Sequence, residues 1–102
     1  MKNIKNYFLL TRPLNVLVSG LAMVVAAAIL DSLEETRILF LIILIVISYT
    51  GAANAINDVL DSETDKINRP SRPIPSKNLK KETALKFSFT LFLIGSILSL
   101  QL

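Results

Sequence analysis

The stretch Ile38-Leu-Phe-Leu-Ile-Ile-Leu-Ile-Val-Ile47-Ser48-Tyr-Thr-Gly51-Ala-Ala-Asn54-Ala-Ile-Asn57-Asp58 decides the fold class. From Ile38 to Ile47 no side chain is polar. A run of this length, without alternation, reads as a helix crossing a bilayer. Past Ser48 the segment turns small and polar, and Asn54, Asn57 and Asp58 follow. Two further apolar segments flank it. Leu14–Leu30 contains only Asn15 and Ser19 as polar side chains, and Ala84–Leu102 has Lys86 near its start. Each of the three, at 14–30, 38–56 and 84–102, approaches the ~20 residues a bilayer helix needs. The expected fold is all-α, a transmembrane helical bundle.

Composition agrees. The chain has 102 residues, 52% of them from the AVILMFWYC set, and a mean hydropathy of +0.56. A water-soluble domain this short has too little interior for that much apolar surface, and a disordered chain would have far less of it. There is no Cys and no His, which excludes a disulfide frame, a thiolate or imidazole metal site and a Ser-His-Asp triad. The net charge is +3, and the basic residues are not interleaved with aromatics, so nucleic acid is not an expected partner. Lys2 and Lys5 before an apolar stretch raise the alternative of a signal peptide, but Arg12-Pro13 abuts the apolar core and Ala26-Ala27-Ala28 lies inside it.

Loop charges predict the orientation. Lys2, Lys5 and Arg12 precede the first span, while Asp31, Glu34 and Glu35 outnumber Arg37 in the first loop. Between Lys66 and Lys86 stand seven basic residues and one acid, Glu82. The reading is an integral, multi-pass protein of the cell membrane, with the N-terminus and loop 57–83 cytoplasmic. The third span ends at Gln101-Leu102 without a flanking charge or aromatic anchor, which predicts a chain cut within a larger architecture.

The chemistry lies where the second span ends. If its helix continues to Asn68-Arg69-Pro70, successive residues turn by ~100°. With Asn54 at 0°, Asp58 falls near +40°, Asp61 near −20°, Asp65 near +20° and Asn57 near −60°, on that ~100° step. Two amides and three carboxylates thus share one face, and Glu63 falls on the opposite one. Three like charges at this spacing repel and call for a counter-charge. Oxygen ligands without Cys or His suit a hard cation, Mg²⁺ first, which takes one or two carboxylates and leaves room for substrate phosphate. The cations that would meet that phosphate follow directly: Lys66, Arg69, Arg72 and then Lys77. An EF-hand is excluded by the missing Asp-x-Asp-x-Asp-Gly spacing. A plain solvated acidic face beside a topology-setting basic loop is the alternative reading of the same charges.

The run Asn54-Ala-Ile-Asn57-Asp58-x-x-Asp61-x-x-x-Asp65-x-Ile67-Asn68-Arg69-Pro70-x-Arg72-Pro73-Ile74-Pro75-Ser76 resembles the first aspartate-rich motif of the UbiA superfamily of intramembrane prenyltransferases. Thr11-Arg12-Pro13-Leu14-Asn15 is similar to that family's entry into its first helix. The resemblance implies an Mg²⁺-dependent transfer of a prenyl group from an allylic diphosphate to a lipid or aromatic acceptor. It implies that Asn54, Asp58, Asp61 and Asp65 hold the metal, with the three aspartates catalytic. Asn57, Lys66, Arg69 and Arg72 would bind substrate, and Arg12 and Asn15 would approach from the first helix. The Ile67–Ser76 form looks most like the branch that transfers geranylgeranyl to geranylgeranylglyceryl phosphate in lipid synthesis. Quinone, chlorophyll and haem prenylation remain as alternatives, as does an inactive small membrane protein that associates with other helices. A bundle of about nine spans of ~20 residues needs well over twice this length. The family's second motif, Asp-x-x-x-Asp, is absent after Asp65. The expectation is therefore the first two to three helices of a larger bundle, inactive alone and completed by further helices or a partner chain.

Overall fold

A computed structural model of the chain describes residues 2–102. It is all-helical among the described residues: α1 (Lys2–Leu10), α2 (Pro13–Ile29), α3 (Thr36–Leu60), α4 (Ser62–Asn68) and α5 (Lys81–Ser99). Two helices, α3 and α5, are long and apolar enough to cross a membrane, and a third crossing results if α1 and α2, bent by 57°, count as one. The molecule is elongated, 46 × 25 × 24 Å. One end carries the 31–35 hairpin and the other the polar motif.

Local chemistry sets the boundaries. Pro13 opens α2 at a position where its missing N–H costs nothing, and it denies helical geometry to Arg12. Arg12 adopts the left-handed region at φ 52°, which produces the bend. The end of α1 is closed by Thr11, whose Oγ1 donates to the Phe8 carbonyl at 2.7 Å. The end of α2 turns through Asp31, also left-handed at φ 58°, with the Ser32 amide donating to the Ala27 carbonyl at 2.8 Å. Aspartate tolerates that conformation better than most residues.

The second helix of the sequence reading does not run unbroken to Asn68. It stops at Leu60, Asp61 sits at φ −92° and ψ 5°, and the chain resumes helix at Ser62. Asp61 and Ser62 are both weak helix formers, and the break falls at Asp61. The Asp65 amide still donates to the Asp61 carbonyl at 2.8 Å, so α4 continues the direction of one face.

α3 packs chiefly against α5, through small residues. A Cβ on Gly51 would lie 3.3 Å from both Leu91 and Thr11, and one on Gly95 would lie 3.2 Å from the Tyr49 ring. Buried Ala52 and Ala84 stand at the same interface, and the Ser88 hydroxyl donates to the Ala52 carbonyl at 2.8 Å. Such close approach is how helices bind one another where apolar solvent removes the hydrophobic drive. The buried cluster lies at the motif end: Leu10 of α1, Ala55 of α3, Ala84 of α5, and Ile74 and Leu79 of the proline-rich loop. That loop folds back over the bundle and caps it. The outer side of α2, including Leu14, Leu17, Leu21 and Val25, is exposed, as are Leu93 and Ile97 of α5.

Candidate functional site

The acidic stripe divides into two groups. Asn54 and Asp58 project from α3 under the bend between α1 and α2. The Asn54 amide donates to the Thr11 carbonyl at 2.8 Å. Asp58 is 1% exposed, and its carboxylate is fully engaged. Oδ1 accepts from Arg12 Nη2 at 2.8 Å, and Oδ2 accepts from Arg72 Nη2. Arg72 comes from the loop and also donates to the Leu9 carbonyl at 3.0 Å, a backbone oxygen that accepts the Arg12 amide at 3.1 Å in the turn where α1 ends.

Asp61 and Asp65 face elsewhere. Together with Arg12, Thr64, Asn68 and Arg69 they line a polar cavity of about 490 Å³. Asp65 is buried, and its Oδ2 has no hydrogen-bond partner. A buried carboxylate oxygen without a donor is costly unless a positive group joins it. Arg12 connects the two groups: one Nη grips Asp58 while its side chain, 27% exposed, borders the cavity, and its Nε also has no partner. The site thus presents two carboxylates and two guanidinium groups around one opening.

The remaining sequence candidates fall outside it. Asn57 and Asn15 are exposed and do not line the cavity. Lys66 is turned to Glu63, at 3.2 Å from its carboxylate oxygens. Arg72 is held at Asp58, and Lys77 lies exposed in the loop at φ 66°. Thr64 and Asn68 line the cavity and were not singled out as ligands by the sequence reading. On the same ~100° wheel they fall near −80° and −40°, beside Asn57, so the signal was present.

A metal can be tested against this donor set. No group of three or more Asp or Glu poised for an ion exists among the described residues, and Asp58 is engaged by two arginines. Asp61 and Asp65, with neutral oxygens from Thr64 and Asn68, are nonetheless the oxygen-only set that Mg²⁺ accepts when phosphate and water supply the rest. The orphaned Asp65 Oδ2 fits such an ion.

Next to Arg12 an apolar groove of about 570 Å³ begins at Thr11 and Pro13 and runs past Gly20 to Ile43 and Ile47. Successive residues of the bend therefore line both: Arg12 the charged cavity, and Thr11 and Pro13 the oily groove.

Residues 15–102 match the model of the UbiA prenyltransferase family. The digeranylgeranylglyceryl phosphate synthase of Methanoregula boonei is 42% identical over 96 residues, which are 94% of this chain and 34% of that protein. The synthase of the same name from Methanospirillum hungatei is 43% identical over 90 residues, 88% of this chain and 32% of that protein. A solved structure described as giving insight into digeranylgeranylglyceryl phosphate synthase in membranes superposes with a TM-score of 0.82 at 34% identity, covering 98% of this chain and 36% of that one. The chain spans about a third of the length of the curated relatives it matches. By a family match over most of its length and by this structural likeness, the chain belongs to the UbiA prenyltransferase family.

Proposed function

We propose that the chain forms the first part of an intramembrane prenyltransferase that moves a geranylgeranyl group from its diphosphate to geranylgeranylglyceryl phosphate. One observation carries this reading: Arg12 and Arg69 face Asp61 and Asp65 across a single cavity. The names of the relatives support the acceptor. Arg12 and Arg69 bind the diphosphate and neutralise the charge that grows on it as the allylic C–O bond breaks. Asp61 and Asp65 would hold Mg²⁺, with Asn54, Asn57 and Asp58 completing the stripe behind them. Bound there, the ion supplies Lewis-acid stabilisation of the leaving group. The groove from Thr11 to Ile47 takes the isoprenoid tail and keeps water from the allylic cation. No protein nucleophile is required.

The cavity gathers two carboxylates, and the relatives are about three times as long. We read further helices, covering the exposed faces of α2 and α5, as the source of the remaining ligands. The chain by itself is expected to transfer nothing and to be oligomeric or aggregated in mild detergent. Fused to the remaining two-thirds of the Methanoregula boonei relative, it is expected to give labelled digeranylgeranylglyceryl phosphate from labelled geranylgeranyl diphosphate, dependent on Mg²⁺. Transfer only to a quinone, chlorophyll or haem precursor would overturn the acceptor. No transfer to any of them would overturn the enzyme.

The Lys/Arg asymmetry supports a cytoplasmic N-terminus and a cytoplasmic loop 57–83 in the cell membrane. Single cysteines suit the test, since the chain has none. Ser76→Cys is expected to react from the cytoplasmic side and Ser32→Cys from the other; the reverse pattern refutes the orientation.

A further inference from the structure

We propose that Asp58 is a positioning residue that sets Arg12 at the mouth of the cavity and does not ligate the metal. The inference rests on the reading of that cavity as a metal–diphosphate site. Both Asp58 oxygens are taken, one by Arg12 and the other by Arg72, and Asp58 does not line the cavity. Each oxygen keeps a further lone pair, but the Asp58 side chain is 1% exposed and aimed at the two guanidinium groups, so reaching an ion in the cavity would require turning the carboxylate away from them. It would also bring a divalent charge beside the cations it now balances, a repulsion that low-dielectric surroundings amplify.

What Asp58 holds is a strained joint. Arg12 is left-handed, at φ 52°, in a residue type that rarely adopts that conformation. Three contacts from α3 and the loop fix the chain there: Asn54 to the Thr11 carbonyl, Arg72 to the Leu9 carbonyl, and Asp58 to Arg12 itself. The bend decides which way Arg12 points, and Asp58 leaves only part of its guanidinium free for the cavity. Asp58 thereby ties three separate segments, the α1–α2 joint, α3 and the proline-rich loop, to one carboxylate. The same residue would act on diphosphate only through Arg12.

Three measurements on the fused, membrane-embedded protein test this. Lys5 and Asn78 line one cleft between α1 and the loop, so the pair Lys5→Cys/Asn78→Cys reads the joint by oxidative cross-linking. Adding Asp58→Asn should slow the cross-link by about tenfold, because two half-buried arginines lose their shared buried partner. Arg72→Lys, which keeps the charge but loses the planar fork, should slow it to a lesser degree. Asp61→Asn should leave it unchanged. Parent-like rates in both Asp58→Asn and Arg72→Lys, or equal slowing by Asp61→Asn, would overturn the proposal. In the second measurement, Mn²⁺ binding followed by electron paramagnetic resonance should weaken about tenfold or more in Asp61→Asn and Asp65→Asn, since losing a ligand costs at least as much as losing a ligand's hydrogen-bond partner, yet change less than about threefold in Asp58→Asn, which bonds two arginines and neither proposed ligand. Equal weakening by Asp58→Asn would make it a ligand and refute the proposal. In the third, binding of inorganic pyrophosphate should be weakened by Asp58→Asn and by Arg12→Lys, with the double variant within about twofold of Arg12→Lys alone, as expected when one residue acts through the other. Multiplying losses would also refute it. If the parent binds no Mn²⁺, the metal reading fails, while the cross-linking arm still decides the positioning role.

Discussion

Asp58 and Glu63 lie five residues apart, and each acid meets two cations. Asp58 bonds Arg12 and Arg72, and Glu63 meets Lys66 at 3.2 Å and Lys81 at 3.7 Å. By charge pattern they are equivalent. By burial they are opposites, since the Asp58 side chain is 1% exposed and that of Glu63 is 71% exposed. The difference lies in what water does when a partner is removed. Around Glu63 solvent replaces it at once. Around Asp58 little solvent is available, and the half-buried guanidinium groups lose a partner that water replaces only in part. The inner network also consists of arginines, whose flat forks suit a carboxylate and a carbonyl together, whereas the outer one uses flexible lysines.

The largest effect that can break this comparison is Asp58→Asn. It keeps the shape and removes the buried charge that two half-buried guanidinium groups share. A loss of about 3–5 kcal/mol in unfolding free energy is expected, the range for breaking a buried ion pair from one side. Denaturation in mixed micelles, followed by helical circular dichroism, would measure it. A loss below about 1 kcal/mol, typical of surface pairs, would place Asp58 in the same class as Glu63.

Next in size is Asn54→Ala. Its amide is the donor to the Thr11 carbonyl, on the last residue before the bend. Removing it leaves that carbonyl without this partner and should cost about 1–3 kcal/mol. Asn54→Ser, too short to reach, should behave like alanine, and an unchanged midpoint in both would show that the joint needs only Asp58.

Smaller again is the backbone term at Arg12. Both Arg12→Ala and Arg12→Gly delete the ion pair, but only glycine accepts φ 52° without strain. Arg12→Gly should therefore be more stable than Arg12→Ala by about 1–2 kcal/mol, the left-handed penalty for a residue with a Cβ. Equal midpoints would mean that the joint relaxes once its ion pair is gone.

The sequence carried the two long apolar helices, α3 and α5, because bilayer thickness fixes helix length, and it carried the separation of Asp58 and Asp65 from Glu63 because a wheel needs only spacing. Three features were beyond it. The break at Asp61 depends on a balance of small propensities that a continuous wheel ignores. The commitment of Asp58 to Arg12 and Arg72 depends on residues 46 and 14 positions away being brought together by a bend and a loop that folds over Leu10 and Ala55. Helix α1 was not foreseen, because its charged start gives no span signal, yet it supplies the Leu9 carbonyl that anchors Arg72. The stripe was thus legible as a face. Which of its acids face a ligand and which face arginine is a tertiary fact.

The smallest expected effect belongs to Glu63. The hydrogen bond from Lys66 comes first, followed by the charges of Lys66 and Lys81, in holding its carboxyl below the ordinary value of 4.5. A carboxyl depressed in the folded state adds stability above its unfolded pKa and loses that stability as pH falls through the lowered value. Any pH dependence from Glu63 therefore lies on the acid side of 4.5, and stability should be flat in this respect at neutral pH. Glu63→Gln should leave the neutral-pH midpoint nearly where it was, and raising salt to about 0.5 M should erase what difference remains, since exposed charges are screened over a few ångströms there. The acid-side slope of stability against pH should become shallower in the variant. Asp58→Asn should keep most of its deficit at the same salt, because the missing carboxylate lies 1% exposed and buried pairs are screened much less. A salt-sensitive deficit at Asp58, or a salt-resistant one at Glu63, would reverse the assignment of inner and outer networks.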